Sequence, residues 1–140
     1  MLKKLIIMLL CICLTGCSSQ SMTFDVSTND CIKVTLSDYD LKTDHDNFLV
    51  YDQNNQKIAE GIFIPEETYK SLLKEKEQLI ILEDSKKDSN PYFLCKNNKE
   101  YVYVLFLEHS HTGIFLTCFS SRSKAKNIFE SLSFKIVENS

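Results

Sequence analysis

The chain has 140 residues, 44% of them hydrophobic and 25% charged, with 16 basic and 19 acidic side chains and a formal net charge of −3. This length suits one domain with its own core, but not two. The acidic balance disfavours nucleic acid or an anionic lipid surface as the main partner, because both require a basic footprint.

Residues 1–16 have the order of charged and apolar residues that an export signal needs. Lys3 and Lys4 precede an uninterrupted apolar run at residues 5–14, as in secretory signals. The run is shorter than the roughly 20 apolar residues of a transmembrane helix, and no positive stop-transfer flank follows it. We therefore expect a signal peptide that is removed, which leaves 14 basic residues against 19 acidic ones.

Leu14-Thr15-Gly16-Cys17 places an apolar residue and two small residues before a cysteine. This sequence resembles the lipobox of bacterial lipoproteins. The resemblance implies that Cys17 receives a diacylglyceryl group and that the signal is cut between Gly16 and Cys17. Two acyl chains on one residue give a stable anchor, whereas one chain holds only marginally.

The expected product is anchored to the cell membrane through the lipid on Cys17, on the extracytoplasmic face. Residues 17–21 would form a lipidated tether, and residues 22–140 a single domain. Three further cysteines would remain in that domain, Cys31, Cys95 and Cys118. Two alternatives stay open for them: three buried thiols, or one disulfide with one thiol left over.

The first half of the domain shows two kinds of strand signal. Residues 22–26 and 31–36 alternate apolar and polar side chains, which predicts half-buried strands. Residues 48–51 and 57–64 flank a run of turn formers, which predicts a hairpin. The acidic segment between these pairs, residues 37–47, is predicted to be an exposed loop.

The second half predicts a helix, a meander and a second helix. Residues 65–79 carry a first-turn proline, two carboxylates and an apolar stripe, all typical of an amphipathic helix. A short strand at 80–82 and a charged loop at 83–91 are expected next. Three strands then follow at 92–95, 101–108 and 114–119. Because residues 101–107 are apolar at every position, this strand should be central and covered on both faces.

The chain closes with Ala125-x-x-Ile128-Phe129-x-x-Leu132-x-Phe134, a helical spacing that runs into a last strand at 133–137. Together with the preceding meander, residues 92–137 look like the end of PsbP-like domains. The resemblance implies an α/β/α sandwich around an antiparallel sheet, and a binding or assembly scaffold without catalytic residues. The expected fold class is therefore α+β, an antiparallel sheet with helices packed on it.

The best-looking polar cluster is Glu108-His109-Ser110-His111, because two imidazoles and a carboxylate in one turn are suitable ligands for a transition metal. His45 would supply a third imidazole if its loop folded against this hairpin. The competing interpretation is an exposed hairpin tip, since neither HExxH nor a Cys/His set is present.

Two further sets of side chains have both a functional and a structural interpretation. Four aspartates at positions 38, 40, 44 and 46 suggest calcium, but the spacing of an EF-hand loop is missing, which favours a solvated acidic loop. Tyr92, Tyr101 and Tyr103 would form an aromatic ligand groove or, as aromatic residues in apolar strands usually do, part of the core.

No catalytic signature is present. There is no GxSxG elbow, and three glycines in the whole chain exclude a glycine-rich phosphate cradle. We therefore expect a non-enzymatic binding or accessory module without a cofactor, whose partner is a protein or a small molecule. One alternative is a metal-binding protein or metal-dependent hydrolase using His109 and His111, and another is a structural envelope protein.

Overall fold

The fold is taken from a computed structural model that describes residues 19–26 and 30–138. These residues form ten β-strands and two α-helices. The strands are β1 (Ser19–Asp25), β2 (Asp30–Ser37), β3 (Asp40–Asp44), β4 (Asn47–Tyr51), β5 (Lys57–Pro65), β6 (Ile80–Lys87), β7 (Asn90–Asn97), β8 (Glu100–Leu107), β9 (Thr112–Cys118) and β10 (Leu132–Glu138). The helices are α1 (Glu66–Glu75), followed by a 3-10 turn (Lys76–Gln78), and α2 (Arg122–Ser131).

The strands form two antiparallel sheets. The small sheet has the order β1-β2-β10, and the large sheet has the order β3-β4-β5-β9-β8-β7-β6. One hydrophobic cluster joins the two sheets, with Ile32 and Leu36 of the small sheet and Leu105 and Leu116 of the large one among its members. The molecule is therefore a β-rich, sandwich-like fold.

The expected α+β class and the α/β/α sandwich implied by the PsbP-like resemblance are wrong. The two described helices have only ten residues each, and a three-stranded sheet supplies much of one covering layer. Periodicity shows which face of a strand is apolar, but it does not show which strand is its neighbour. Here β2 pairs with β1 and β10 and not with a strand of the large sheet.

The small sheet shows the alternation that the sequence predicts. In its middle strand β2, Ile32, Val34 and Leu36 are buried, while Lys33 is exposed. β10 pairs beside it with Phe134 opposite Val34. The apolar face of this sheet thus points into the core.

Strand β8 is covered on both faces, as its uniformly apolar sequence predicts. Val104 and Leu105 are 1% and 2% exposed and belong to different hydrophobic clusters. On one side α1 covers the sheet, where the Tyr69 ring stacks on Phe106 with the centroids 4.5 Å apart. On the other side lie the small sheet and α2, which packs against β8.

Two segments predicted as loops are β-structure. Strand β3 occupies the middle of the predicted loop at 37–47 and pairs with β4. Strands β6 and β7 run through the predicted loop at 83–91 and leave only Asp88 and Ser89 as the turn. Because β3 and β6 are the edges of the large sheet and most of their side chains meet solvent, they tolerate the charged residues that made them look like loops.

Both predicted helices are confirmed. Helix α1 begins directly after Pro65, where a fixed φ suits a helix start. Helix α2 is capped by Ser121, whose Oγ accepts a hydrogen bond from the backbone N–H of Lys124 at 3.3 Å. Its apolar stripe, including Ile128 and Phe129, is buried.

The predicted signal peptide (residues 1–16) and lipidation site (Cys17) lie outside the described residues. Residues 19–21, expected in the tether, belong to strand β1. The backbone N–H of Leu41 donates to Gln20 Oε1 at 2.7 Å, and Ser21 Oγ lies 2.9 Å from Thr35 Oγ1. No helix in the described ranges is long and apolar enough to cross a membrane.

Candidate functional site

A cleft of about 480 Å³ opens at the end of the sandwich where β1 ends, the β3–β4 turn lies and α1 begins. Its polar lining comes from Asp25, Asp46, Asn47, Glu66, Ser110, His111 and Thr112. We call this site the acidic cleft. Three carboxylates and one imidazole line it, so it suits a cationic or hydroxyl-rich ligand better than an anion.

The turn between β8 and β9 fixes one wall of the acidic cleft. Leu107 and Thr112 pair across this turn, and His111 adopts a left-handed φ of 52°, which histidine tolerates better than most residues. The Ser110 hydroxyl donates to the Leu107 carbonyl at 3.4 Å, and the Thr112 hydroxyl donates to the Ser110 carbonyl at 3.1 Å. These two buried hydroxyl groups therefore stabilise the turn.

His111 faces a carboxylate across the cleft. Its Nδ1 lies 3.5 Å from Glu66 Oε2, and the imidazole is 71% exposed. Glu66 also approaches Lys70 Nζ at 3.3 Å and is in the first turn of α1, where a carboxylate is favoured by the helix dipole. This imidazole therefore lies beside a carboxylate at the solvent-exposed mouth of the cleft.

The structure does not gather the three histidines proposed as metal ligands. His45 has a left-handed φ of 57° at the β3–β4 turn and contacts only its neighbour Asp44, at 3.0 Å. His109 is exposed and is not part of the cleft lining. Within the described residues, no group of three or more His, Cys, Asp or Glu side chains is placed to hold a metal ion.

The four aspartates predicted as one loop are spread over two turns and a strand. Asp40 and Asp44 are the two ends of β3, and Asp40 Oδ1 accepts a hydrogen bond from Gln20 Nε2 at 3.2 Å. Asp46 lines the acidic cleft. They do not form the single oxygen-rich loop that a calcium site of the EF-hand kind requires.

The three cysteines of the domain are buried thiols, and none of them is in a disulfide. Cys31 Sγ donates to Asp25 Oδ1 at 2.8 Å. Burial raises the pKa of Cys95, and it raises the pKa of Cys118 from 9.0 to about 12. A thiol with a raised pKa is a poor nucleophile at neutral pH.

Tyr92 and Tyr103 are core residues that also line a second depression, beside α2. Two adjoining hollows of about 430 and 200 Å³ share Glu83, Tyr103 and Lys126. We call them together the basic groove; its lining includes Lys86, Lys87, Tyr92, Tyr103, Arg122 and Lys126. Sequence reasoning suggested a tyrosine groove but missed the cations, because they come from β6 and from α2, far apart in the chain.

The aromatic floor of the basic groove is rigidly packed. The Tyr103 ring stacks on Phe129 with the centroids 4.0 Å apart, and Tyr92 meets Phe129 edge-on at 4.8 Å. The Tyr92 hydroxyl donates to Glu83 Oε1 at 2.5 Å. Burial, followed by this hydrogen bond, raises the pKa of Tyr92 to about 12.

No protein-family profile, curated protein or solved structure matches the chain. Within residues 19–26 and 30–138, no histidine forms a hydrogen bond with a serine, threonine or cysteine side chain, so the described part shows no nucleophile and base in contact.

Proposed function

We propose that this chain is a lipid-anchored protein of the extracytoplasmic face of the bacterial cell membrane, and that its domain is a non-enzymatic binding module. The observation that carries the anchor is Leu14-Thr15-Gly16-Cys17, directly after a charged start and a ten-residue apolar run. Small residues before the cysteine suit the cut, and lipid on Cys17 would hold the mature chain at the bilayer.

The geometry of β1 supports a domain held close to the membrane. Only Ser18 separates Cys17 from the first residue of this strand, and one residue spans at most about 3.6 Å. Asp25, at the other end of β1, lines the acidic cleft. Since seven strand residues extend over about 20 Å, the cleft would open away from the bilayer.

A binding role also fits the two depressions. The acidic cleft and the basic groove both have the volume of small-molecule sites, and the charged groups at their mouths are solvated. Burial raises the pKa values of Cys95 and Cys118, so these two thiols are not prepared for nucleophilic attack.

Metabolic labelling with an alkyne fatty acid in a bacterial host tests the anchor. The wild-type chain should carry label and be found in the membrane fraction. Cys17→Ser should carry none and remain as an uncleaved precursor, because both lipid transfer and the cut depend on that thiol. Cys13→Ser removes a signal cysteine outside the lipobox and should keep the label. Label retained in Cys17→Ser would refute the proposal.

Metal analysis of the same membrane protein tests the non-enzymatic part. After purification without chelators, we expect a folded protein with substoichiometric metal. Stoichiometric zinc that is lost in His111→Ala would contradict the proposal and favour the metal-dependent alternative.

A further inference from the structure

The basic groove has a charge opposite to that of the whole protein. Its lining holds four cationic side chains and two carboxylates, Glu83 and Glu130, in a chain of net charge −3. A positively charged patch on a protein of negative net charge attracts anions locally.

The cations of this groove are largely available to a ligand. Neither Arg122 nor Lys86 has an ion pair with the described residues. Lys126 Nζ lies 3.9 Å from Glu130 Oε1, but these side chains are 65% and 62% exposed, so this pair is weak and easily exchanged. Glu83, in contrast, already accepts the Tyr92 hydroxyl, which reduces its ability to repel an anion.

The side chain of Tyr103 lines the same groove and offers an accessible hydroxyl. Tyr103 is 1% exposed, and its hydroxyl makes no hydrogen bond with the described residues. No described polar side-chain atom is both fully buried and unsatisfied, so the small accessible part of Tyr103 includes its hydroxyl oxygen. Because Tyr103 lines both hollows, this donor is open to a ligand in the groove.

The N-terminus of α2 adds to this arrangement. Arg122 is the first residue of the helix and lines the groove together with Ser123. The positive end of the helix dipole therefore lies beside the guanidinium group. Helix dipole, guanidinium, ammonium and phenol all favour the same kind of ligand atom, an anionic oxygen.

We propose that the basic groove binds a small anion whose carboxylate or phosphate contacts Arg122, Lys126 and the Tyr103 hydroxyl, and whose short apolar body lies over Leu94 and Tyr92. The proposal rests on the binding role proposed above and names its ligand class, but it does not require the lipid anchor. A hollow of about 430 Å³ accommodates such a molecule.

Amide NMR of the full-length protein in neutral detergent tests this site. Phenyl phosphate and hexanoate are the probes; inorganic phosphate lacks the apolar body, phenol lacks the charge, and benzylamine reverses it. We expect saturable shifts for both probes at residues 122–126 and around Tyr103, with the three comparison molecules binding at least about tenfold more weakly. Shifts confined to the acidic cleft, or equal affinity for phenol, would overturn the proposal.

Substitutions in the groove distinguish a specific binding site from general electrostatic attraction. Arg122→Gln with Lys126→Gln should weaken phenyl phosphate binding about tenfold or more, because two charge-assisted contacts are lost. Tyr103→Phe, which keeps the ring, should weaken it about three- to tenfold. The control, Lys74→Gln with Lys99→Gln, makes the same change in net charge at exposed positions outside the groove. Equal loss in this control would mean that no specific site exists.

Vesicles distinguish a soluble ligand from a lipid headgroup. Vesicles of phosphatidylcholine with phosphatidylglycerol should not compete with phenyl phosphate for the groove. Competition by these vesicles, with no effect of pure phosphatidylcholine vesicles, would overturn the assignment to a soluble anion. The fatty-acid label on Cys17 is read in the same preparation, so a missing anchor and a missing ligand site give different results.

Discussion

Two adjacent side chains test whether the large sheet is covered on both faces. Val104 and Leu105 point to opposite sides of β8 and are both buried. We expect Leu105→Ala to cost about 2 to 5 kcal/mol of unfolding free energy and Val104→Ala somewhat less, through lost transfer energy and the cavity. Urea unfolding measures both, with Lys99→Ala as an exposed control. One costly and one neutral substitution would mean that one face is bare.

Tyr92 should make the protein sensitive to alkali. Burial and the hydrogen bond to Glu83 raise its pKa from 10.0 to about 12. A raised pKa in the folded state gives stability that is complete below pH 10 and is lost as the pH rises towards 12. Tyr92→Phe should therefore show a shallower fall in unfolding free energy over that range. An unchanged slope would contradict this account.

The position of the turn between β6 and β7 can be tested by substitutions in this hairpin. Asp88 and Ser89 have left-handed φ values of 50° and 70°, as in a two-residue type I′ turn, where glycine is favoured at the second position. Ser89→Gly should therefore stabilise the protein by about 0.4 to 1 kcal/mol.

The same substitution within a strand is the matched control for this hairpin. Ser85→Gly lies in β6, where the backbone is extended, and should destabilise by about 0.5 to 1 kcal/mol. Thermal unfolding measures both variants. If Ser89→Gly destabilises as much as Ser85→Gly does, the turn between Asp88 and Ser89 is misplaced.

The sequence predicts the individual elements better than their arrangement. The pattern of apolar residues indicates β2, β8 and both helices, because these elements bury one face or both. The same signal fails for β3 and for residues 83–87 of β6, which belong to exposed edge strands and carry mostly polar side chains. The pairing of β10 with β2 joins residues about a hundred positions apart, and nothing local encodes it.

The candidate sites, too, combine residues that the sequence makes visible with contacts that only the fold creates. The polar turn that contains His111 is visible in the sequence, where it suggests a metal ligand. The fold instead places this histidine beside Glu66, forty-five positions earlier. The grouping of Lys86 with Arg122 and Tyr103 arises only when α2 packs beside the large sheet. Contacts of this kind depend on topology and not on periodicity.

At the scale of the whole molecule, β1 would set the orientation of the domain on the membrane. Asp38 follows Ser37, which pairs with Ser19 at the start of β1, whereas Asp46 lines the acidic cleft at its other end. A fluorophore on Asp38→Cys should be quenched strongly by lipids with nitroxide headgroups, and one on Asp46→Cys weakly. The buried native thiols should remain unlabelled in the folded protein. Equal quenching at both positions would contradict this orientation.

We propose that the mature protein begins with a lipid-modified Cys17. Intact-mass analysis of the protein extracted from membranes reads the cut and the modification together. We expect a chain that lacks residues 1–16 and carries a diacylglyceryl group on its N-terminal cysteine. A mass that retains residues 1–16, or that shows the cut without lipid, would contradict it.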